Sequence, residues 1–251
     1  MRILLSNDDG IRAEGIRALA EVLSLRHEVV LCAPMHEQSG MSHALNVHRR
    51  MEIVRARDVE SLYPVEAWMI DGTPTDCVKI YLEAMAEGKL PDLVISGINH
   101  GANLATDVLY SGTVGAAMEG FLHEIPSAAL SRERDSGIPF SKIAEISSSY
   151  LEKAMEKEDL PFFLNLNFPK KFCPGEPQFL FSKLGKRDYL NAYTRERDED
   201  GREYFTVAGD IIDLDKSEAT DIYAVEQGYI SVTPLHTDLT DYVALDERLK
   251  S

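Results

Sequence analysis

The chain has 251 residues, 44% of them apolar, and a formal net charge of −16. That length fits one large domain, or a core plus a smaller module, and the acidic balance excludes a polymeric nucleic acid held on a basic surface. No apolar run approaches a membrane span, the first residues turn acidic too soon for a signal peptide, and Cys32, Cys77 and Cys173 lack metal-finger spacing, so a reducing, cytoplasmic setting is expected.

The first half alternates strand and helix patterns. Residues 3–5 read as a buried strand, followed by Asn7-Asp8-Asp9-Gly10. A helix is predicted over 15–25, where Ile16, Leu19, Ala20 and Leu23 recur with helical spacing. Residues 29–33 form a second strand, closed by Pro34, and a polar loop with Ser39 and Gly40 follows. Shorter strand-like pieces lie over 44–54 and 67–70. Thr75 offers a cap for a helix running to Ala86. A third buried strand covers 93–95 and ends at Ser96-Gly97. A small-residue helix is expected over 114–121 and a strand over 128–130. Repeated βα units predict an α/β fold with a doubly wound, mostly parallel sheet.

The second half is less regular. A helix is predicted over 143–155 and a strand over 163–167. From 179 to about 233 the chain alternates Tyr, Thr, Val and charges around a turn at Asp198-Glu199-Asp200-Gly201, which predicts a long antiparallel hairpin. Residues 238–249 suggest a terminal helix. The expected division is a core over 1–175 and an extension over 176–251 that joins subunits.

Three loops that follow predicted strands would meet along one edge of a parallel sheet, where α/β proteins bind ligands. The first carries Asp8 and Asp9. Two adjacent carboxylates repel and are costly to desolvate, which a divalent cation would relieve; an Asp cap and a turn would also suit these residues. Ser39 stands in the second loop, and Asn99 and Asn103 in the third, 96–103. Before the small-residue helix comes Ser111-Gly112-Thr113, readable either as an anion site or as an ordinary helix cap. Carboxylate, hydroxyl and amide oxygens favour Mg²⁺ or Mn²⁺ over zinc. A metal beside an anion site suits phosphate-ester hydrolysis. Asp9 and Asp107 are the candidate bases, Asp107 also suiting a structural cap. His43 and His100 read as loop histidines or general acids. Trp68, Tyr189 and Tyr193 could pack or stack on a base, and Cys77 reads as core.

Asn7-Asp8-Asp9-Gly10, Ser39-Gly40, 72–78 (GTPTDCV), Ser96-Gly97-Ile98-Asn99 and Tyr110-Ser111-Gly112-Thr113-Val114 together resemble the SurE survival-protein family. Later pieces, 165–169 (NLNFP) and 228–235 (GYISVTPL), extend the resemblance over nearly the whole chain. It implies a metal-dependent 5'/3'-nucleotidase that cleaves nucleoside monophosphates through metal-activated water, with short polyphosphate as a further substrate. It places one metal per subunit on Asp8, Asp9, Ser39 and Asn99, and phosphate on Ser111, Gly112 and Thr113, with Asn103 nearby. It also implies a Rossmann-like core with a C-terminal hairpin and helix exchanged in a homodimer or homotetramer. Two departures stand out: Met35-His36 where the family usually has an Asp-Arg pair, and Asn46 where threonine is common. A nucleotide-dependent transferase and a non-catalytic metal or nucleotide sensor are the alternatives.

Overall fold

The computed structural model describes residues 1–157 and 161–250. The first half runs β1 (Arg2–Ser6), α1 (Glu14–Leu23), β2 (Glu28–Pro34), β3 (Ile53–Arg55), α2 (Arg57–Glu60), β4 (Glu66–Ile70), α3 (Pro74–Ile80), β5 (Leu93–His100), α4 (Gly112–Leu122) and β6 (Ser127–Arg132). The second runs α5 (Phe140–Lys157), β7 (Phe163–Phe168), β8 (Phe179–Phe181), β9 (Lys186–Leu190), β10 (Tyr193–Arg197), β11 (Glu203–Val207), β12 (Asp210–Asp215), α6 (Asp221–Glu226), β13 (Ile230–Pro234) and α7 (Tyr242–Leu249).

Nine strands form one sheet in the order β3-β4-β2-β1-β5-β6-β7-β13-β8. The six from β4 to β7 are parallel; β3 and β13 pair antiparallel to their neighbours β4 and β7. Successive side chains of a strand point to opposite faces. Ile3 and Leu5 therefore join the core under α1 and α5, while Leu4 joins the one under α3. Both faces are covered, which explains the unbroken apolar run of β1. The strand order reverses between β1 and β5, and their carboxyl ends open the crevice where such folds bind ligands.

Helix α1 crosses the end of β5 at very short range. A Cβ added to Gly15 would stand 2.0 Å from the carbonyl oxygen of Ile98. Gly15→Ala should therefore destabilise the fold by about 3 kcal/mol, the upper range for overpacking. A thermal melt checks this, and an unchanged melting temperature overturns it.

Several expected boundaries shift. The strand-like stretch 44–54 is irregular except at its end, where β3 begins. Its backbone is held from outside instead: Thr73 Oγ1 donates to the Ala44 carbonyl at 2.7 Å, and Asn46 donates twice to the Asp76 carboxylate, at 3.0 and 2.6 Å. Helix α3 is capped by Thr73, not Thr75; Thr73 and Asp76 form a reciprocal capping box. The helix continues as a π-helical turn, Tyr81–Met85. Strand β5 does not stop at Ser96-Gly97 but runs on to His100.

The predicted hairpin is shorter than expected. Strands β9 and β12 pair, then β10 and β11, around the turn at 198–201. These form an arm, whereas β8, α6 and β13 return to the body, so the expected division at residue 175 crosses the main sheet. The arm's base is closed by hydrogen bonds from Lys183 N–H to the Ala219 carbonyl and from Asp221 N–H to the Lys183 carbonyl. The buried Asp221 carboxylate accepts N–H bonds from Ala105, Gly185 and Ile222. Beyond its base the arm exposes Tyr193, Phe205, Val207, Ile211 and Leu214.

Candidate active site

The turn after β1 is built by its own residues. Asn7 Nδ2 donates to the Gly10 carbonyl at 2.9 Å, and Gly10 takes a positive φ of 95° that glycine adopts without strain. This turn aims Asp8 and Asp9 in different directions. Asp8 is buried at 6% exposure and points to the start of α4. Thr113 donates to it twice, from Oγ1 at 2.5 Å and from its backbone N–H at 3.1 Å. Gly112 makes this approach possible, since a Cβ there would lie 3.0 Å from Asp8 Cβ. Burial, opposed by the Thr113 hydroxyl and aided by the charge of Asp9, pushes the Asp8 carboxyl up to about 6.

Asp9 is half-buried and points toward the end of β5, where the His100 N–H donates to its Oδ2 at 3.3 Å. Burial raises its pKa; the His100 N–H works against that, and the charge of Glu37 adds to it. Asn99 donates Nδ2 to the Gly101 carbonyl at 2.8 Å, which turns its amide oxygen the other way. Thus Asp8, Asp9, Asn99 and the 111–113 turn lie at the β1–β5 crevice.

The other predicted residues are placed differently. The Ser39 loop touches the site through Gln38 N–H, which donates to the Asp8 carbonyl at 2.7 Å. The Ser39 hydroxyl, however, is exposed and donates to Glu37 at 2.6 Å. Asn103 is buried, with its Nδ2 on Ser131 Oγ at 2.8 Å, its N–H on Asn167 and its carbonyl accepting from Asn165 and Asn167. These contacts hold the loop in place. Asp107 is engaged by the arm: Arg187 and Tyr189 donate to its two carboxylate oxygens at 3.0 and 2.8 Å.

The end of α4 also differs from an open anion cradle. The Thr113 N–H goes to Asp8, and the Val114 N–H to the Ser111 hydroxyl at 3.1 Å. Gly115 N–H bonds the Ser111 carbonyl. The helix's positive end therefore holds mainly a carboxylate of the protein itself.

The two histidines are structural in this arrangement. His43 Nε2 meets the buried Glu119 at 2.8 Å, and His100 Nε2 donates to the Arg134 carbonyl at 2.8 Å. Glu119 lies with Glu83 and His123 in a group whose ligand atoms fall within 4.8 Å. Lys79 Nζ bridges Glu83 and Glu119 at 2.7 and 3.0 Å, so a lysine ammonium group already offsets part of the charge there. Trp68 packs beneath Arg55 and donates to Glu66, and Cys77 is buried.

The sequence model of the family described as survival protein SurE matches residues 3–191. The chain belongs to the SurE family. The 5'-nucleotidase SurE of Pelotomaculum thermopropionicum is 44% identical over 256 residues, covering 100% of this chain and 94% of that protein. That of Moorella thermoacetica is 46% identical over 248 residues, covering 96% and 92%. The crystal structure of the SurE protein from Aquifex aeolicus matches with a TM-score of 0.83 at 35% identity over the whole of both chains. Within this SurE fold, sequence reasoning missed three crevice features: Glu37 beside Ser39, Arg134 after β6, and the pairing of Asp8 with Thr113. Only Gly112 hinted at the last, as a residue with no side chain at a helix start.

Proposed function

We propose that this chain hydrolyses nucleoside 5'-monophosphates to nucleoside and phosphate with a divalent cation, Mg²⁺ or Mn²⁺. The carrying observation is the carboxylate pair at the β1–β5 crevice: Asp8 is buried yet has only neutral donors, and Asp9 is crowded by Glu37. A cation fits this donor set, because every free donor is a hard oxygen. The buried Asn7 Oδ1, which has no hydrogen-bond partner among the described residues, points to the same unmet demand. The names of the relatives support the reaction class.

Asp8, Asp9 and Asn99 would hold the ion, with Ser39 as the fourth oxygen once its hydroxyl turns from Glu37. When bound, such an ion supplies Lewis-acid charge and lowers the pKa of a coordinated water. Thr113 fixes the orientation of Asp8, and the Asn7–Gly10 turn fixes the spacing of the pair. Gly112 and Ser111 line the phosphate side. Asp9 is the proton acceptor of this reading, being half-exposed with a raised pKa. Nucleoside 3'-monophosphates and short polyphosphate carry the same terminal phosphate and are included in the proposal.

Phosphate release from a nucleotide panel with Mg²⁺, with Mn²⁺ and with chelator tests the reading. Metal-dependent release is expected; no release with any metal overturns it in favour of a sensor, and transfer to a second nucleotide in favour of a transferase.

We further place the arm and α7 at a contact between copies of this chain, as a homodimer or homotetramer. The row of exposed Tyr, Phe, Val, Ile and Leu side chains on the arm supports this, since monomers rarely expose so much apolar surface. Sedimentation should show a species of at least twice the 28.0 kDa chain mass; a monomer at micromolar concentration overturns it. No helix among the described residues is long and apolar enough to cross a membrane. The free thiols Cys32, Cys77 and Cys173 suit the cytoplasm, where we place the enzyme.

A further inference from the structure

We propose that Arg134 is the cationic contact for the substrate's phosphate, a role that rests on the phosphohydrolase reading above. The need for such a contact follows from charge. Asp8, Asp9 and Glu37 bring three carboxylates to the crevice, and one divalent cation leaves them uncompensated before a phosphate dianion arrives. The helix end that would ordinarily attract that dianion is already engaged by Asp8. A positive group must come from elsewhere.

Arg134 follows β6, the strand beside β5. Its backbone is fixed to the site, because His100 Nε2 donates to its carbonyl while the His100 N–H donates to Asp9. Its guanidinium overhangs the Asn99–Gly101 turn. A Cβ built on Gly101 would stand 4.0 Å from Arg134 Nη2 and 3.8 Å from Asn99 Nδ2. The absence of a side chain at Gly101 leaves that space open between the guanidinium and the crevice.

The neighbouring acids do not claim this cation. Glu133 and Asp135 both turn to Lys170, at 3.8 and 3.5 Å. Arg134 forms no ion pair at contact distance among the described residues, although its charge reaches Asp9, where it opposes the effect of burial. An exposed, unengaged guanidinium at the rim of an acidic crevice is matched to a planar pair of phosphate oxygens. It would also discriminate against substrates whose phosphate carries less charge.

The test uses inorganic phosphate and a nucleoside 5'-monophosphate on the full-length wild type, Arg134→Ala and Arg134→Lys, each with Mn²⁺. Calorimetry of phosphate binding should weaken roughly 10- to 100-fold in Arg134→Ala, and KM should rise by a similar factor with a smaller change in kcat. Arg134→Lys should recover part of the loss, since it keeps the charge but not the fork. Mn²⁺ binding, read by paramagnetic resonance of the free ion, should stay within about twofold, because Arg134 contacts neither carboxylate. Unchanged phosphate binding in Arg134→Ala overturns the inference, and so does a parallel loss of Mn²⁺ binding. Absence of turnover in the wild type would overturn the nucleotidase reading, while the phosphate calorimetry still decides the role of Arg134.

Discussion

Asp8→Asn is expected to lower metal-dependent phosphate release on the order of 10³-fold or more while leaving the fold in place. The loss follows from removing the buried negative charge at the crevice, the strongest attraction the site offers a cation. The fold survives because the neutral amide can still accept the Thr113 hydroxyl, now at 2.5 Å from Oδ1. Its NH₂ group would face the Thr113 N–H, which costs about 1–2 kcal/mol. Relief of an uncompensated buried carboxylate acts in the opposite direction. Initial rates of phosphate release and a circular-dichroism melt measure both halves. Wild-type rates in this variant would remove Asp8 from the site and with it the metal reading.

The second large effect is on stability against pH. Asp8 titrates at about 6 in the folded chain, chiefly because it is buried, against an ordinary value of 3.8. Between those values the native state keeps a proton that the unfolded chain has released. The contribution of Asp8 is therefore fully present below about pH 4 and is lost as pH rises through about 6. The loss amounts to about 3 kcal/mol, or roughly 6–12 °C in melting temperature for a chain of this size. Other carboxylates with lowered pKa values, such as Asp58 and Glu152, act in the reverse sense. The difference between wild type and Asp8→Asn isolates the Asp8 contribution. The stability of the variant relative to wild type should rise by about 3 kcal/mol from about pH 4 to pH 6 and then level off. Mn²⁺ should raise the wild-type melting temperature more near pH 7.5 than near pH 4.5, since a proton and the cation compete for one carboxylate. A metal-induced shift of equal size at both pH values would contradict this account.

Much of the body was legible in the chain. Apolar runs such as 3–5, 29–33 and 93–95 are buried on both faces, so their sequence signal is strong and local. The Ser111 turn and the Asp8-Asp9 pair were visible too, each open to two readings, and the fold shows Ser111 capping α4. What was hidden depends on distant partners. The 44–54 stretch looks strand-like by composition, but Thr73 and Asp76 claim its backbone and prevent a ladder from forming. Strand β5 passes through Gly97, which read as a terminator, because Gly97 lets the Leu130 carbonyl approach so closely that a Cβ would lie 2.3 Å away. Helix α6 was lost inside a polar stretch of hairpin character. The partners of Asp107 and Asn103 were hidden in the same way, since the residues that engage them lie 28 to 82 positions away. Arg134 had no motif to reveal it; only the fold brings it beside Gly101.

The closed base of the arm has a consequence for how this protein can change. Lys183 and Thr220 are adjacent in space, so the 36 residues between them leave the body and come back at almost one point. Lengthening or shortening such an excursion alters its closure entropy only logarithmically, by roughly 0.6 kcal/mol per doubling. Nor does the buried body register the sequence of its far half, β10 and β11, whose residues are all exposed. Selection can thus rewrite the arm's tip, and with it whatever the tip touches, while the β1–β5 crevice folds unchanged: the chain separates the evolution of its company from that of its chemistry.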